Sequence, residues 1–304
     1  MKYPVVKIPA DGYDTIEQLG TKEKFWFYDE KDSTTKLFKI GRPGTGENWS
    51  EKATSELAKL LGLSCAEYEF AIWKEKEGVI SKLFVPQNGR LVHGNEVLEK
   101  VIKDYPKNKF YKVRDYNIST TLAIIKGVPE LPLGYEKNKT IQNPIDLFVG
   151  YLMFDCWISN QDRHHENWGF VLDIINKTIH LAPTYDHASG LGCRVSDKER
   201  NERLTTNDKR YSVETFVGKT KSAFYDKGLK QLKTIEVFLV AAKQNRKAAE
   251  FWLNKLESIS QAEIKNIFTK IPNKLISGPA IDFALAILEA NKKRLLEVKT
   301  GLIK

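Results

Sequence analysis

Residues 160–169 of the 304-residue chain read Asn-Gln-Asp-Arg-His-His-Glu-Asn-Trp-Gly, the densest cluster of chemically versatile side chains in the sequence. The preceding segment, 144–159, is apolar. It begins with Pro144 directly after Asn143, a typical helix start with Asn as the cap. The following run, 169–172, has the composition of a short strand. The sequence therefore predicts a loop between a helix and a strand, and catalytic groups are often found on such loops.

The spacing of the acidic and amide side chains in this loop is informative. Asp162 and Asn167 are five positions apart, the offset in the protein kinase loop H-R-D-x-x-x-x-N, where Asp serves the acceptor hydroxyl and Asn binds Mg²⁺. A second carboxylate must reach the metal, and Asp186 follows the predicted strand pair 169–172 and 178–181. Asp162 or Asn167 alone would be interpreted as a turn-capping residue, but the three together favour phosphoryl transfer.

A kinase also needs groups that hold the phosphates of the nucleotide. Lys39 lies in an apolar predicted strand, 36–40, although alternation along the strand also permits it to face solvent. Glu51 or Glu56 of the next predicted helix, 50–61, could pair with it. Candidate phosphate-binding residues come before the first strong strand, but they lack the full G-x-G-x-x-G pattern; they are Gly20, Thr21 and Lys22.

Three histidines near the loop raise the alternative of a zinc site. They are His164, His165 and His187. The side chains of the adjacent His164 and His165 should diverge, and neither a cysteine nor a helical His-x-x-x-His pair supports a zinc site. We therefore expect His164 to hold the loop through hydrogen bonds.

The rest of the chain predicts an α+β fold with two lobes, like that of protein kinases. A hairpin (24–28 and 36–40), the helix and two more strands (66–73 and 78–85) form a small sheet-rich lobe, residues 1–88. A larger helical lobe, residues 89–304, carries the loop and metal residues. Its predicted helices are 95–103, 144–159, 228–244, 247–257, 261–268 and 279–298. The charged segment 194–210 is expected to be a loop, either activation-like or simply solvated.

The composition excludes several classes of protein. Hydrophobic residues make up 41% and charged residues 29%, as in a globular protein. The net charge of +9 favours an anionic partner without choosing one, and no basic recognition helix predicts direct nucleic-acid binding. Three cysteines without a CxxC pair predict no disulfide framework. No signal core or 18-residue apolar span is present, so we expect a cytoplasmic protein, with secretion lacking a cleavable signal left open.

The motif Asn160-x-Asp-x-His-x-x-Asn167, followed by Asp186 after a tyrosine, resembles the HipA-like serine/threonine kinases. These are bacterial kinases of toxin–antitoxin type and their stand-alone relatives. Segments similar to the family's small lobe and linker extend the resemblance from about residue 17 to 190; they are 19–27, 37–39, 47–51, 56–63 and 92–95.

The resemblance implies roles for the candidate residues. Asp162 would orient the acceptor hydroxyl and take its proton, Asn167 and Asp186 would hold Mg²⁺, and Lys39 would bind the phosphates of ATP. Glu51 aligns with the family's helix glutamate better than Glu56 does. Thr21 falls where relatives have a hydroxyl that can be autophosphorylated.

Two departures from related kinases matter. Asp186-His187-Ala188 replaces the Asp-Phe-Gly of ordinary protein kinases. The chain also resembles a short form without the extra N-terminal subdomain of HipA toxins, so an antitoxin or a separate subdomain chain is an expected type of partner.

The leading hypothesis is an ATP- and Mg²⁺-dependent protein serine/threonine kinase of HipA type, with a toxin role as part of the resemblance. A lipid or small-molecule kinase of related fold is one alternative. A nucleotide-binding partner of a repressor, without turnover, is another. The acceptor protein is not identified by the sequence.

Overall fold

The computed structural model describes residues 1–11, 15–16 and 23–303. The first part is a six-stranded sheet in the order β1-β5-β6-β4-β3-β2, in which only β1 and β5 pair in parallel among these strands. The strands are β1 (Val5–Lys7), β2 (Thr15–Ile16), β3 (Lys24–Asp29), β4 (Thr34–Ile40), β5 (Tyr68–Trp73) and β6 (Lys76–Lys82). The predicted hairpin corresponds to β3 and β4.

The burial of Phe38, the residue before Lys39 on β4, decides which face of the sheet Lys39 lies on. Phe38 is opposite Phe25 on β3 and Ile80 on β6, and all three are buried in one apolar cluster on one face of the sheet. Since successive side chains of a strand point to opposite faces, Leu37 and Lys39 lie on the other face. Both line a cavity there, so Lys39 does not face solvent as the alternative interpretation allowed.

Helix α1 (Glu47–Leu61) packs against β5 and β6 and carries Glu51 into the protein. It ends at Gly62, whose φ of 81° lies in the left-handed region that glycine adopts readily. It begins at Glu47 rather than at the predicted residue 50, because its first turn is fixed by contacts distant in sequence. The N–H of Gly46, just before the helix, donates to the carbonyl of Cys193 at 2.9 Å, and Trp49 is buried.

The second part of the chain is mostly helical. A three-stranded sheet joins β7 (Arg90–His93), β8 (Gly169–Asp173) and β9 (Thr178–Leu181), and β10 (Lys221–Tyr225) pairs with β11 (Gln231–Lys233). The helices are α2 (Gly94–Val101), α3 (Ile118–Lys126), α4 (Pro144–Trp157), α5 (Asp197–Thr205), α6 (Val213–Gly218), α7 (Thr234–Gln244), α8 (Arg246–Ser258), α9 (Gln261–Thr269) and α10 (Gly278–Ile303). The chain leaves the six-stranded sheet after β6 and enters the three-stranded sheet at β7. The predicted boundary between the two lobes, residue 88, lies in this connection and stays a proposal.

Helix α4 is the centre of this part. It contacts α3, α7, α8 and α10, and nearly all of its side chains are buried, including Asp146 and Asp155. Its N-terminus has the predicted cap, in which the Asn143 side chain accepts a hydrogen bond from the Asp146 N–H. Because α4 is surrounded by other helices, the loop at its C-terminal end starts from a rigid support.

The prediction of a helix over residues 228–244 is partly wrong. Residues 231–233 form β11, and α7 begins only at Thr234. The backbone N–H of Asp226 donates to the carbonyl of Lys230 at 3.0 Å, which turns the chain back onto β10. Leu232 is buried, and the hairpin pairing with β10 outweighs the local helical pattern.

The charged segment 194–210 was predicted as a loop, but its middle forms α5. Ser196 caps this helix by accepting a hydrogen bond from the Glu199 N–H. Glu199 and Arg203, one turn apart, form an ion pair at 2.8 Å, and Arg200 is buried. The polar composition that indicated a loop therefore belongs to a helix held by its own ion pairs and by one inward arginine.

Within the described parts of the chain, no helix is both long enough and apolar enough to cross a membrane.

We expect Gly150→Ala to lower the free energy of unfolding by about 1–3 kcal/mol, because an added methyl group would overpack the core. A Cβ at Gly150 would lie 2.6 Å from Cε2 of Trp252 and 2.8 Å from Cδ2 of Leu63. Chemical denaturation measures the change. Gly218→Ala is the control, because no heavy atom lies within 4 Å of its added Cβ; equal stability of the two variants would contradict the packing described here.

Candidate active site

A cavity of about 700 Å³ separates the Lys39 face of the six-stranded sheet from the loop 160–169. Five of the residues singled out in the sequence line it, although they come from distant parts of the chain. They are Lys39, Asp162, His164, Asn167 and Asp186. The structure thus brings these five residues, predicted for different roles, around one space.

Lys39 bridges two carboxylates. Its Nζ lies 3.1 Å from Oδ1 of Asp186 and 3.5 Å from Oε2 of Glu51, and the residue is only 8% exposed. Burial alone would lower the pKa of Lys39, but the charges of Asp186 and Glu51 outweigh it and hold the pKa well above its usual value. Lys39 is therefore a fixed positive charge at the cavity wall.

Glu51 connects this lysine to the segment that follows β9. One oxygen, Oε2, faces Lys39, and the other, Oε1, accepts a hydrogen bond from the N–H of His187 at 2.7 Å. Glu56, the alternative partner, instead pairs with Lys52 at 2.8 Å. Of the two candidate glutamates, the structure brings Glu51 to Lys39.

The loop 160–169 is organised around the buried guanidinium of Arg163, which is 1% exposed. Two of its nitrogens donate to the carboxylate of Asp155 on α4, at 2.7 and 2.8 Å. The third nitrogen, Nη1, donates to the carbonyl of Asn167 at 2.6 Å. Nη2, which also donates to Asp155, contacts the Thr184 hydroxyl and Nε2 of His187, each at 2.8 Å. Arg163 thus joins α4, the loop and the segment carrying Asp186.

Sequence reasoning missed this arginine and its partner. Asp155 did carry a signal, since it interrupts an apolar run in which a carboxylate needs a partner. The sequence did not show which cation would meet it.

Asp162 and Asn167 are held by hydrogen bonds inside the loop. The backbone N–H of Asp162 donates to Oδ1 of Asn160 at 3.1 Å, and the Asn160 amide donates to Asp155 at 2.8 Å. The side-chain nitrogen of Asn167 donates to the Asp162 carbonyl at 2.5 Å. This bond fixes the orientation of the Asn167 amide and turns its oxygen away from the carbonyl.

The three histidines point in different directions. Nδ1 of His164 accepts the N–H of Glu166 at 3.2 Å, and its Nε2 lies 4.0 Å from Oδ1 of Asp162. Burial lowers the pKa of His164, so the neutral form that accepts this bond is favoured. His165 instead contacts the Tyr105 hydroxyl at 2.6 Å, and His187 contacts Arg163.

The cavity offers oxygen ligands for a metal. Residues 1–11, 15–16 and 23–303 contain no group of three or more His, Cys, Asp or Glu side chains that could hold a metal ion. Mg²⁺, however, is commonly bound by one or two protein oxygens together with water and substrate phosphates. The Asn167 amide oxygen and the Asp186 carboxylate fit such a shared site.

The remaining predicted phosphate residues, Gly20, Thr21 and Lys22, lie outside the described residues. Lys24, just after them, lines the cavity. Sequence reasoning also missed an apolar part of the cavity wall, which includes Leu37, Phe84 and Tyr185. The rings of Phe84 and Tyr185 lie 5.7 Å apart.

Two solved structures are similar to this one. The proinflammatory kinase CtkA of Helicobacter pylori matches with a TM-score of 0.76 and 19% identity, over 99% of each chain. HipA of Shewanella oneidensis MR-1, solved with HipB and operator DNA, matches with a TM-score of 0.57 and 13% identity, over 95% of this chain and 67% of that one. These likenesses show that the chain has the fold of these kinases. A sequence search of the curated proteins finds no match.

The family comparison covers most of the chain. The model of the HipA-like C-terminal domain matches residues 17–262, a range that contains the cavity residues described above. The resemblance found in the sequence is thereby confirmed, and the chain belongs to the HipA-like family.

Proposed function

We propose that this protein is an ATP- and Mg²⁺-dependent protein serine/threonine kinase. The observation that carries the proposal is the position of Lys39, held between Glu51 and Asp186 at the wall of the cavity that Asp162 and Asn167 also line. Phosphoryl transfer is catalysed mainly by positioning and by neutralising charge, and these residues supply both.

The nucleotide would lie with its phosphates towards Lys39 and its base against the apolar part of the cavity wall. Lys39 and Lys24 would place positive charge near the phosphates. Phe84 and Tyr185 provide aromatic surface suited to a planar heterocycle. Because its ion pairs with Glu51 and Asp186 keep Lys39 charged and in place despite burial, little reorganisation is needed when phosphates approach.

Mg²⁺, when bound, would neutralise phosphate charge, held by the amide oxygen of Asn167 and the carboxylate of Asp186. The loop hydrogen bond of the Asn167 amide fixes where its oxygen points. Asp186 has a φ of 57°, a conformation that aspartate tolerates better than most residues, and its neighbour His187 is bonded to Glu51. The chain would therefore hold Asn167 and Asp186 in place before nucleotide or Mg²⁺ binds.

Asp162 would orient the acceptor hydroxyl and take its proton as the phosphoryl group is transferred. Its backbone is fixed to Asn160, which is itself bonded to Asp155 on α4, so the carboxylate is presented from a rigid support. His164, whose ring lies 5.8 Å from that of Phe110 and 6.0 Å from that of Tyr111, keeps the adjacent wall in place.

Phosphate transfer from labelled ATP also tests the alternative acceptors and the alternative roles. Offering labelled ATP with protein, phosphoinositide and small-molecule acceptors distinguishes a protein kinase from a lipid or small-molecule kinase. Nucleotide binding without transfer to any acceptor would favour the repressor-partner alternative. Since the similar HipA was solved with HipB and DNA, an antitoxin-like protein partner and a toxin role also remain proposals for this chain.

Asp162→Ala is expected to reduce phosphate transfer from ATP by about two orders of magnitude or more, because the acceptor proton loses its base. Thermal unfolding should be nearly unchanged. The control is Asp208→Ala, which removes an exposed carboxylate paired only locally with Arg210. Wild-type transfer by Asp162→Ala would refute the assigned role.

Lys39→Met is expected to raise the KM for ATP at least about tenfold, because a charge facing the phosphates is lost. Lys36→Met is a closely matched control. Lys36 lies on the same strand, is 6% exposed, and also meets two carboxylates, those of Asp29 at 2.7 Å and Asp32 at 2.9 Å. Both variants should lose stability, but only Lys39→Met should lose nucleotide affinity; equal KM values would contradict the proposal.

Incubation with Mg-ATP is expected to phosphorylate the protein itself, with Thr21 as the proposed site. Added negative charge at that position would repel nucleotide phosphates. Peptide mass spectrometry locates the phosphate, and the Asp162→Ala variant should acquire none. Phosphate at another residue, with Thr21 unmodified, would contradict the assigned site.

A further inference from the structure

We propose that the carboxylate of Glu166 binds the ribose hydroxyls of the nucleotide, so that this kinase distinguishes ATP from its deoxy analogues. The inference rests on the proposed function and adds to it the group that selects the sugar.

The backbone of Glu166 is held on both sides. Its N–H donates to Nδ1 of His164 at 3.2 Å, and its carbonyl accepts from the Tyr185 hydroxyl at 2.7 Å. Nδ1 of His93 lies 2.8 Å from the same carbonyl. The side chain, which lines the cavity, therefore starts from a fixed point of the loop, as precise recognition of a ligand requires.

The side chain itself is held through one of its two oxygens. Oε1 accepts from the amide nitrogen of Asn95 at 3.1 Å. That nitrogen also donates to the carbonyl of Lys107 at 3.1 Å, so the orientation of the amide is fixed. Within the part of the chain that the structure describes, Asn95 is the hydrogen-bond partner of this carboxylate and Oε2 has none.

The other carboxylates of the cavity wall are in use. Asp162 and Asp186 have proposed roles in proton transfer and metal binding, and Glu96 uses one oxygen for Arg90 and the other for a backbone N–H. Among the described residues, no three His, Cys, Asp or Glu side chains are grouped as metal ligands. Glu166 therefore does not complete a metal cluster with Asp162 and Asp186, and its Oε2 is left to accept from a ligand.

Glu166 is connected to both proposed parts of the nucleotide site. Its carbonyl is bonded to Tyr185 of the apolar wall, and the next residue along the chain is the proposed metal ligand Asn167. Burial raises the pKa of Glu166 and the charge of Lys24 opposes the increase, so this proposed phosphate-binding lysine is within electrostatic range.

The ribose is the part of the nucleotide that suits this position. It joins the base to the phosphates, and Glu166 is connected to the residues proposed for each. An ionised carboxylate only accepts hydrogen bonds, and sugar hydroxyls donate them. Dinucleotide-binding folds likewise use an acidic side chain for a ribose hydroxyl.

Titration calorimetry with Mg²⁺ and ADP, 2′-deoxy-ADP or 3′-deoxy-ADP tests the inference, since ADP carries the same ribose as ATP without a γ-phosphate to transfer. Wild type should bind ADP about tenfold more tightly than at least one analogue, because a hydrogen bond to a charged acceptor is lost. In Glu166→Ala this ratio should fall to about one, through weaker binding of ADP and nearly unchanged binding of the analogue. Glu166→Gln, which keeps the shape but not the charge, should give an intermediate ratio.

Glu130→Gln is the control, since Glu130 is a partly exposed carboxylate that pairs with Lys137 at 3.6 Å and does not line the cavity; its ratio should equal that of wild type. Equal affinities of wild type for ADP and both analogues would overturn the inference, even if a variant failed to fold.

Two results with the variants would also overturn it. One is an equal loss of affinity for ADP and the analogues in Glu166→Gln, which would indicate a purely structural role. The other is discrimination that is lost in Glu96→Gln but kept in Glu166→Gln, which would assign the ribose to Glu96. If wild type binds no nucleotide at all, the proposed function fails, and this inference fails with it.

Discussion

The burial of one arginine constrains the whole site. A guanidinium that is 1% exposed is costly unless its charge and its donors are satisfied. Arg163 meets this requirement with partners from three places: Asp155 on α4, the carbonyl of Asn167 in the loop, and Thr184 and His187 after β9. The partners cannot move apart without exposing a buried charge, so the loop and the segment carrying Asp186 have one stable relative position.

A second buried contact extends this arrangement to the six-stranded sheet. Glu51 of α1 uses one oxygen for Lys39 on β4 and the other for the N–H of His187. Since His187 also meets Arg163, polar contacts run continuously from β4 and α1 to α4. Asp186 directly precedes His187 in the chain and bonds to Lys39 as well. Residues of the six-stranded sheet, of α1, of the segment after β9 and of α4 are therefore positioned by each other.

Local patterns made part of this arrangement predictable. The cap at Asn143, the hairpin of β3 and β4 and the offset of Asp162 from Asn167 depend on near neighbours in sequence, and these segments fold as expected. Asp186 could be placed because a hairpin returns the chain to the loop. The direction of Lys39 could not be decided from alternation alone, which allows either face.

Features that depend on contacts between separate segments were not predictable from one sequence. Arg163 reads as an ordinary charged loop residue until Asp155 and Thr184 are seen around it. The strand β11 exists because β10 buries Leu232, and α5 is stabilised by inward packing of Arg200 on carbonyls of Gly192 and Cys193. In each case the deciding partner lies outside the segment whose pattern was interpreted, or a polar composition hides the burial.

The same polar contacts explain why His187 should not behave like the phenylalanine that follows the metal aspartate in ordinary protein kinases. There, the packing of an apolar ring distinguishes active from inactive states. Burial holds the pKa of His187 well below its usual value, and Arg163 adds to this, so the ring is neutral and its Nε2 can accept from Arg163.

Moving His187 outward would break the bond of its N–H to Glu51 and remove a partner from a buried guanidinium. Because leaving such groups without partners costs more than exposing an apolar ring to a new apolar surface, control of this protein by an outward swing of residue 187 is disfavoured. Regulation would then act through groups outside this network.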